Sequence, residues 1–190
     1  MKERPIRFTA PMVRAIIEGR KTQTRLVVKP QPHQTCAGLW KWRVPDGACG
    51  YSEDVFIAKI GRWSTVPYAV GDRLWVRETF FVEPERLIAN PCKGDFGGRI
   101  KKEIFYRATY STPQDICWRP SIHMPRWACR MVLEITDVRV QRLQDISEAD
   151  ARAEGFANRA DYIAAVLAMY GLRDDADPWM WAISFKCVEV

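Results

Sequence analysis

The sequence predicts an α+β fold built on a small closed β-barrel, and two observations support this prediction. Segments with strand patterns outnumber helical ones, in the order strand, helix, several strands, two helices and a final strand. Too few helices lie between strands for a doubly wound parallel sheet. Many antiparallel strands with little helix favour a sheet that closes on itself.

The N-terminal segment predicts a strand, a short helix and a second strand. Ile6 to Thr9 has a strand pattern, and Thr9 can cap a helix in which Pro11, near its start, costs no hydrogen bond. Apolar residues then recur at helical spacing until Gly19, which predicts a left-handed cap at the helix end. The strand that follows is predicted over residues 24–28.

Six further elements follow from periodicity and turn residues. A capping box at Ser147 and Asp150 predicts a short helix that ends at Gly155, and Gly171 closes the next helix. The long strand must shift its register near Thr136 or Asp137, as a β-bulge would allow. The predicted strands cover residues 73–78, 104–109, 130–142 and 181–188. The helix closed by Gly171 has an apolar stripe of Tyr162, Ile163, Val166, Leu167 and Tyr170.

The length and composition predict one domain over residues 1–190, with irregular insertions at about 31–70 and 83–127. The chain has 190 residues, of which 47% are hydrophobic and 27% charged. It contains no apolar run of about 18 residues, and Met1 to Thr9 is too charged for a signal peptide. We therefore expect a soluble cytoplasmic protein without a membrane segment; the oligomeric state is left open.

The cysteines give no sign of a metal site or a cofactor. The six cysteines lie far apart, and no CxxC pair occurs, so we predict neither. Cys129 and Cys187 fall inside apolar strand patterns, where a free thiol behaves as a small buried hydrophobe.

The net charge of +6 is concentrated at the N-terminus. Residues 2–29 carry eight basic and two acidic side chains, whereas the remainder carries 21 of each. A clustered excess of this kind indicates an anionic partner such as a nucleic acid. The plainer interpretation is a solvated helix face followed by cations at its C-terminal end.

Four motifs occur in one order along the chain. They are GRKTQTR at residues 19–25, GDRLWVRE at 71–78, DISEADARAEG at 145–155 and the final WAISFKCVEV at 181–190. In this order the chain resembles an ASCH protein of the PUA-like superfamily, and is most similar to the longer members encoded by phages and prophages. The resemblance implies a PUA-like mixed barrel with a cleft for RNA or a modified base.

The ASCH motif is approximately GxKxxTxR or GxKxxExR, and this chain matches it at Gly19, Lys21 and Thr24. The last position holds Leu26, and the nearest cation is Arg25, which along a strand points to the opposite face. Some small bacterial ASCH proteins are amidohydrolases that deacylate N4-acetylcytidine with a lysine, a threonine and a glutamate. By motif position these roles fall on Lys21, Thr24 and Glu154.

Amide hydrolysis needs a nucleophile, a base and a group that stabilises the oxyanion. Thr24 could attack if Lys21 were neutral, and neighbouring Arg20 and Arg25 would help to lower its pKa. Glu154 could accept the lysine proton or hold the exocyclic nitrogen of the base. The plainer interpretation makes Lys21 a solvated cation, Thr24 a strand residue and Glu154 a carboxylate on a helix surface.

Other candidate residues for binding substrate or nucleic acid are weaker. Glu78 ends a strand among cations and could reach the cleft, or form a cross-strand salt bridge. His123, Arg126 and Trp127 share a compact loop, in which the indole could stack on a base and the imidazole could act as a base. Most other tryptophans are predicted to pack the insertions onto the barrel.

Three functions follow as hypotheses. The first is an N4-acylcytidine deacylase that uses Lys21, Thr24 and Glu154. The second is a non-catalytic module that binds RNA or a modified base in the same cleft. The third is a ribonuclease, for which the sequence offers Lys21, His123 and arginines but no histidine pair or carboxylate cluster.

Overall fold

The structure is a computed structural model that describes residues 1–42, 50–60, 68–82, 103–110 and 117–189. Strand β1 is Glu3–Arg7, helix α1 is Ala10–Ile17, and strand β2 is Gln23–Val27. Helix α1 ends as predicted, with Gly19 at a φ of 71°. The amide of Gly19 donates to Ile16 O and that of Arg20 to Ala15 O, which is the Schellman arrangement.

The central part of the chain forms short elements. Strands β3 (His33–Gln34) and β4 (Trp40–Lys41) make a hairpin, followed by helix α2 (Glu53–Ile60). Strand β5 is Arg73–Arg77, and β6 (Phe80–Val82) pairs with β7 (Ile104–Tyr106). The sequence did not predict α2. The loop predicted over residues 83–99 lies outside the described residues.

The C-terminal part contains the longest elements. Two 3-10 turns, Ser121–His123 and Arg126–Ala128, lead into strand β8 (Val132–Arg142). Helix α3 (Glu148–Ala153), helix α4 (Arg159–Tyr170) and strand β9 (Trp179–Glu189) follow. The predicted bulge is confirmed, because the β8–β9 register shifts between Ile135 and Asp137.

The main sheet has five strands in the order β1-β5-β8-β9-β2. β1 and β5 are parallel, and the other neighbours are antiparallel. The α+β class is therefore observed, but the predicted closed barrel is not: among the described residues no pairing joins the edge strands β1 and β2. Helix α1 connects these two edges directly, and a cavity lined by both strands lies there instead of a ladder.

The main core lies on one face of this sheet. Trp40, Trp42 and Phe56 from the region around α2 pack into it, with Trp40 and Phe56 meeting the Trp179 ring at centroid distances of 5.3 and 5.4 Å. The prediction that tryptophans pack the first insertion onto the sheet is confirmed for Trp40 and Trp42. A second apolar cluster, which includes Tyr162 and residues of β9, lies under α3 and α4.

Helix α3 begins at the predicted cap, and α4 ends at the predicted glycine. Ser147 accepts a hydrogen bond from the Asp150 amide at 3.0 Å, and Gly155, with a φ of 91°, ends the turn after α3. Gly171 caps α4 with a φ of 61°. None of the helices described here has the length and apolar character needed to cross a bilayer.

The prediction of a buried thiol is wrong for Cys187. That residue is exposed, since the last residues of β9 beyond Phe185 run past the core. Cys129 is half-buried, and its thiol donates to Met131 O at 3.0 Å.

Candidate functional site

Lys21 is the centre of a buried polar cluster. Its side chain follows the α1 cap and enters the interior, with 2% of the residue exposed. The ammonium donates three hydrogen bonds, to Gln23 O at 2.8 Å, Glu154 O at 3.0 Å and Glu154 Oε2 at 2.7 Å. All three ammonium protons are thereby used, so Lys21 is not the solvated cation of the plainer interpretation.

Glu154 reaches Lys21 because it is the C-terminal cap of α3. The amide of Thr22 donates to Ala153 O at 2.8 Å and so joins the start of β2 to the end of α3. A side chain at position 155 would place its Cβ 3.4 Å from the Ala15 Cβ and 3.6 Å from the Lys21 Cβ, at a left-handed φ. Glycine therefore lets the two segments approach closely.

Arg25 extends the cluster along the same face of β2. Its guanidinium donates to Gln23 Oε1 at 2.7 Å, Gln141 Oε1 at 3.0 Å and Asp150 Oδ2 at 3.1 Å. It also lies 3.5 Å from Glu154 Oε1. Its Nε is buried without a hydrogen-bond partner among the described residues. Arg25 is thus on the opposite face from Leu26, as the displacement from the motif predicted.

Burial opposes the charges of this cluster. Desolvation lowers the pKa of Lys21, although the negative charge of Glu154 raises it in part. Desolvation likewise raises the pKa of Glu154, opposed by Lys21 and then by Arg25. Burial and the Glu154 charge raise the pKa of Tyr162, which packs beside Arg25. For Asp150, burial is outweighed by Arg25 and the Ser147 hydrogen bond, and its pKa is lowered.

Thr24 lies on the other face of β2 from this cluster. It is buried opposite Ile183 of β9, while Gln23 and Arg25 point the other way. No hydrogen bond joins Lys21 Nζ to the Thr24 hydroxyl, because the three acceptors already described take its protons. The structure therefore brings Lys21 and Glu154 into contact and leaves Thr24 apart from them.

A cavity of about 330 Å³ lies between the edge strands β1 and β2 and helix α4. Thr24, Arg25 and Glu154 are all among the residues that line it. Its walls are mainly apolar and aromatic, and residues from both helical and strand segments contribute. The aromatic members are Phe8, Phe156, Tyr162 and Tyr170, and the other polar members are Arg7, Thr9, Thr79 and Ser121.

The remaining predicted residues lie outside this cavity. Arg20 is exposed and pairs with Glu18, two residues before it. Glu78 is buried and accepts two hydrogen bonds from Arg130, at 2.9 and 3.0 Å. Arg130 also stacks on Tyr106, with 4.1 Å from its Cζ to the ring centroid. Of the two roles considered for Glu78, the structure thus shows the salt bridge, which Glu78 forms with Arg130.

His123, Arg126 and Trp127 are exposed on the two 3-10 turns. Arg126 donates to Glu3 at 3.0 and 3.4 Å, and these bonds lower the pKa of Glu3. The Trp127 residue is 64% exposed. Ser121, in the first turn, reaches the cavity rim.

Several residues of the site were not predicted. Asp150 was assigned only to a cap, yet it lies one helical turn before Glu154, and that spacing places both carboxylates on one face of the helix. Gln23 lies two residues before Arg25 on the same strand face, which is also visible in the sequence. Gln141 and Phe156 gave no local signal, because their contacts depend on tertiary packing.

Metal ligands are not grouped in the part of the chain that the structure describes: no set of three or more His, Cys, Asp or Glu residues there could hold an ion.

No family model matches the chain, and no curated protein matches it. Among solved structures, a protein of Enterococcus faecalis described by the family model DUF984 is 13% identical, with a TM-score of 0.40. The match covers 93% of this chain and 66% of that protein, just under two thirds of its length.

An ASCH domain from Lactobacillus crispatus is 12% identical with a TM-score of 0.43, and the match covers 100% of this chain and 81% of that one. Because both TM-scores are below 0.5, neither likeness carries an argument for function. The proposals below rest on the contacts within this chain.

Proposed function

We propose that this protein binds a nucleobase or modified nucleoside in the cavity between β1, β2 and α4. The observation that carries the proposal is the Arg25–Glu154 pair in the cavity wall, where Arg25 keeps a buried Nε–H without an acceptor. An unpaired buried donor is costly unless a ligand satisfies it. The Arg25 side chain has no exposed area, so a bound base supplies that acceptor by shifting the cavity wall around it.

The lining matches the chemistry of a base. Aromatic rings from the segment before α1, from α4 and from the segment between α3 and α4 offer surfaces for stacking. A pyrimidine with an exocyclic amine presents an N–H donor beside ring and carbonyl acceptors. Glu154 can accept from such an N–H, and Arg25 can donate to such a carbonyl. The cavity volume is at the small end of the range for ligand sites.

The ion-pair cluster holds these two groups in place. Lys21 fixes one oxygen of Glu154, and Gln23, Gln141 and Asp150 fix the guanidinium of Arg25. Groups held in this way lose little freedom on binding, which favours affinity and specificity. In this proposal Lys21 positions Glu154 and does not itself touch the ligand.

The test is a calorimetric titration with cytidine, N4-acetylcytidine, uridine and adenosine. We expect saturable binding of cytidine or its N4-acyl derivative, and a loss of about tenfold or more in Phe156→Ala, because that ring lines the cavity. Ile57→Ala, an apolar truncation at an exposed position of α2, is the control and should bind as the wild type does. Absence of binding to all four nucleosides would refute the proposal.

Deacylation of an N4-acylcytidine is a second candidate, favoured by one observation. Thr24 and Glu154 line the same cavity, beside a lysine whose pKa burial lowers. In this reaction the Thr24 oxygen bonds to the acyl carbon and its proton passes to Glu154 or Lys21. The carbon–N4 bond then breaks, N4 takes that proton, and water releases the acyl group from Thr24. Lys21 could take this proton only in its neutral form, so it would first have to lose one of its three protons and the hydrogen bond that this proton makes.

Thr24→Val separates these candidates, because valine keeps the shape of threonine and removes the hydroxyl. For an enzyme with Thr24 as nucleophile we expect acetate release from N4-acetylcytidine to fall at least 100-fold, with nucleoside affinity changed less than about threefold. Chromatography of the products measures the release. Equal release by the variant and the wild type excludes Thr24 as the nucleophile, and no release by the wild type leaves binding as the function.

A further inference from the structure

One face of the β1–β5 pair carries arginines beside the cavity. The register aligns Glu3 with Arg73, Pro5 with Trp75 and Arg7 with Arg77, and these residues point away from the core. The intervening pairs, such as Ile6 and Val76, are buried. We call Arg7, Arg73, Trp75, Arg77, Arg126 and Trp127 the arginine face.

The cations of this face are open to an anionic ligand. Arg7 is exposed, and Arg73 and Arg77 are half-buried, so part of each of these side chains can contact an anion. The Arg77 guanidinium lies 5.4 Å from the Trp75 ring centroid and donates to Ile122 O. The nearby carboxylate of Glu3 is bonded to Arg126. The face therefore presents more positive than negative charge.

The arginine face is continuous with the cavity. Arg7 belongs to both. Thr79, two residues after Arg77, and Ser121, next to the Ile122 carbonyl that accepts from Arg77, also line the cavity. From Arg73 to Arg77 the strand runs about 13 Å, at the rise of an extended strand. A chain of phosphates along this strand would end where its next base could enter the cavity.

The second 3-10 turn adds an aromatic surface. The bond from Arg126 to Glu3 holds this turn against the face, and Trp127 is 64% exposed beside it. An exposed indole flanked by arginine is the arrangement on which unpaired bases stack. In a duplex the bases are already stacked on one another, so this surface favours a single strand.

We propose that the arginine face binds a single-stranded nucleic acid, with phosphates on Arg7, Arg73 and Arg77 and a base stacked on Trp127. The substrate is then a base within a strand rather than a free nucleoside. This inference rests on the proposed function, because one unstacked base of the strand occupies the cavity. RNA and DNA share the phosphodiester backbone that the arginines would bind, so the two are tested separately.

The test measures the fluorescence anisotropy of labelled 12-nucleotide RNA, DNA and a hairpin duplex at several salt concentrations. We expect Arg73→Gln and Arg77→Gln each to weaken binding of a single strand by about three- to tenfold. Each should also flatten the slope of log K against log salt by about 0.7. Trp127→Ala should weaken it by about tenfold with the slope unchanged. Arg173→Gln, which removes an exposed arginine after α4, is the charge-matched control.

The nucleoside titration separates this inference from the proposed function. If nucleosides bind but single strands bind no better, or if the three variants match Arg173→Gln, the inference is refuted and the proposed function stands. Tighter binding of the duplex than of either single strand also refutes it. If single strands bind through the arginine face but Phe156→Ala has no effect and no nucleoside binds, the proposed function fails while the face remains a binding surface.

Discussion

Removing Glu154 alone is expected to cost about 3–5 kcal/mol of unfolding free energy, the usual penalty for breaking a buried ion pair. In Glu154→Leu, Lys21 and Arg25 stay buried as two cations without their shared carboxylate. In Lys21→Met, Glu154 still has Arg25 at 3.5 Å, so this loss should be the smaller of the two. The total unfolding free energy of a native domain is about 5–15 kcal/mol, so either change is severe.

The double variant Lys21→Met/Glu154→Leu should recover much of this loss, because neither charge is then left buried alone. We expect the two changes to be coupled by about 2 kcal/mol or more when unfolding is followed by circular dichroism in urea. Arg20→Met, the neighbouring exposed cation paired with Glu18, is the control and should change stability by about 0.5 kcal/mol or less. Additive losses in the double variant would contradict a direct Lys21–Glu154 interaction.

This pair also bears on function. If Glu154 accepts a hydrogen bond from the base, the double variant should fold and yet bind nucleosides more weakly, because leucine at position 154 cannot accept that bond. If the Lys21–Glu154 pair contributed only to stability, binding would survive whenever the fold survives. Nucleoside titration of the folded double variant distinguishes these outcomes and is independent of the unfolding measurement.

Local chemistry accounts for the features that the sequence predicted well. The caps at Gly19, Ser147 and Gly171 depend on residues within one helical turn, and each is observed. The bulge in β8 follows from a change in apolar alternation along a single strand. Lys21 and Glu154 were predicted as site residues from their positions in the motifs. Their contact joins segments 133 residues apart.

Features that depend on packing were not predicted. Helix α2 has a weak apolar pattern of its own and is held by burying Phe56 against Trp179 and Trp40, which no local signal indicates. Among the described residues the edge strands β1 and β2 are not paired, and whether such edges meet depends on packing across α1 that no local pattern indicates. The hydrogen bonds of Arg25 to Asp150 and Gln141 depend on the packing of α3 and β8 against β2, which the local sequence does not indicate.

Trp179→Ala is expected to cost about 3–5 kcal/mol, the range for truncating a large buried aromatic residue. The side chain is 2% exposed and packs on Trp40, Phe56 and Arg142, the last at 4.5 Å from the ring centroid. For a chain of this size the loss corresponds to a fall in Tm of about 6–20 °C. Circular dichroism during heating and in urea measures both quantities.

Trp127→Ala is the matched control for this substitution, since it removes the same side chain from an exposed turn and should cost about 0.5 kcal/mol or less. Trp40→Ala combined with Trp179→Ala should cost less than the sum of the single losses, because the two rings contact each other at 5.3 Å. Equal stability of Trp179→Ala and Trp127→Ala would mean that the segment around β4 and α2 does not depend on the main core. Strict additivity would instead show that Trp40 and Trp179 stabilise the protein independently.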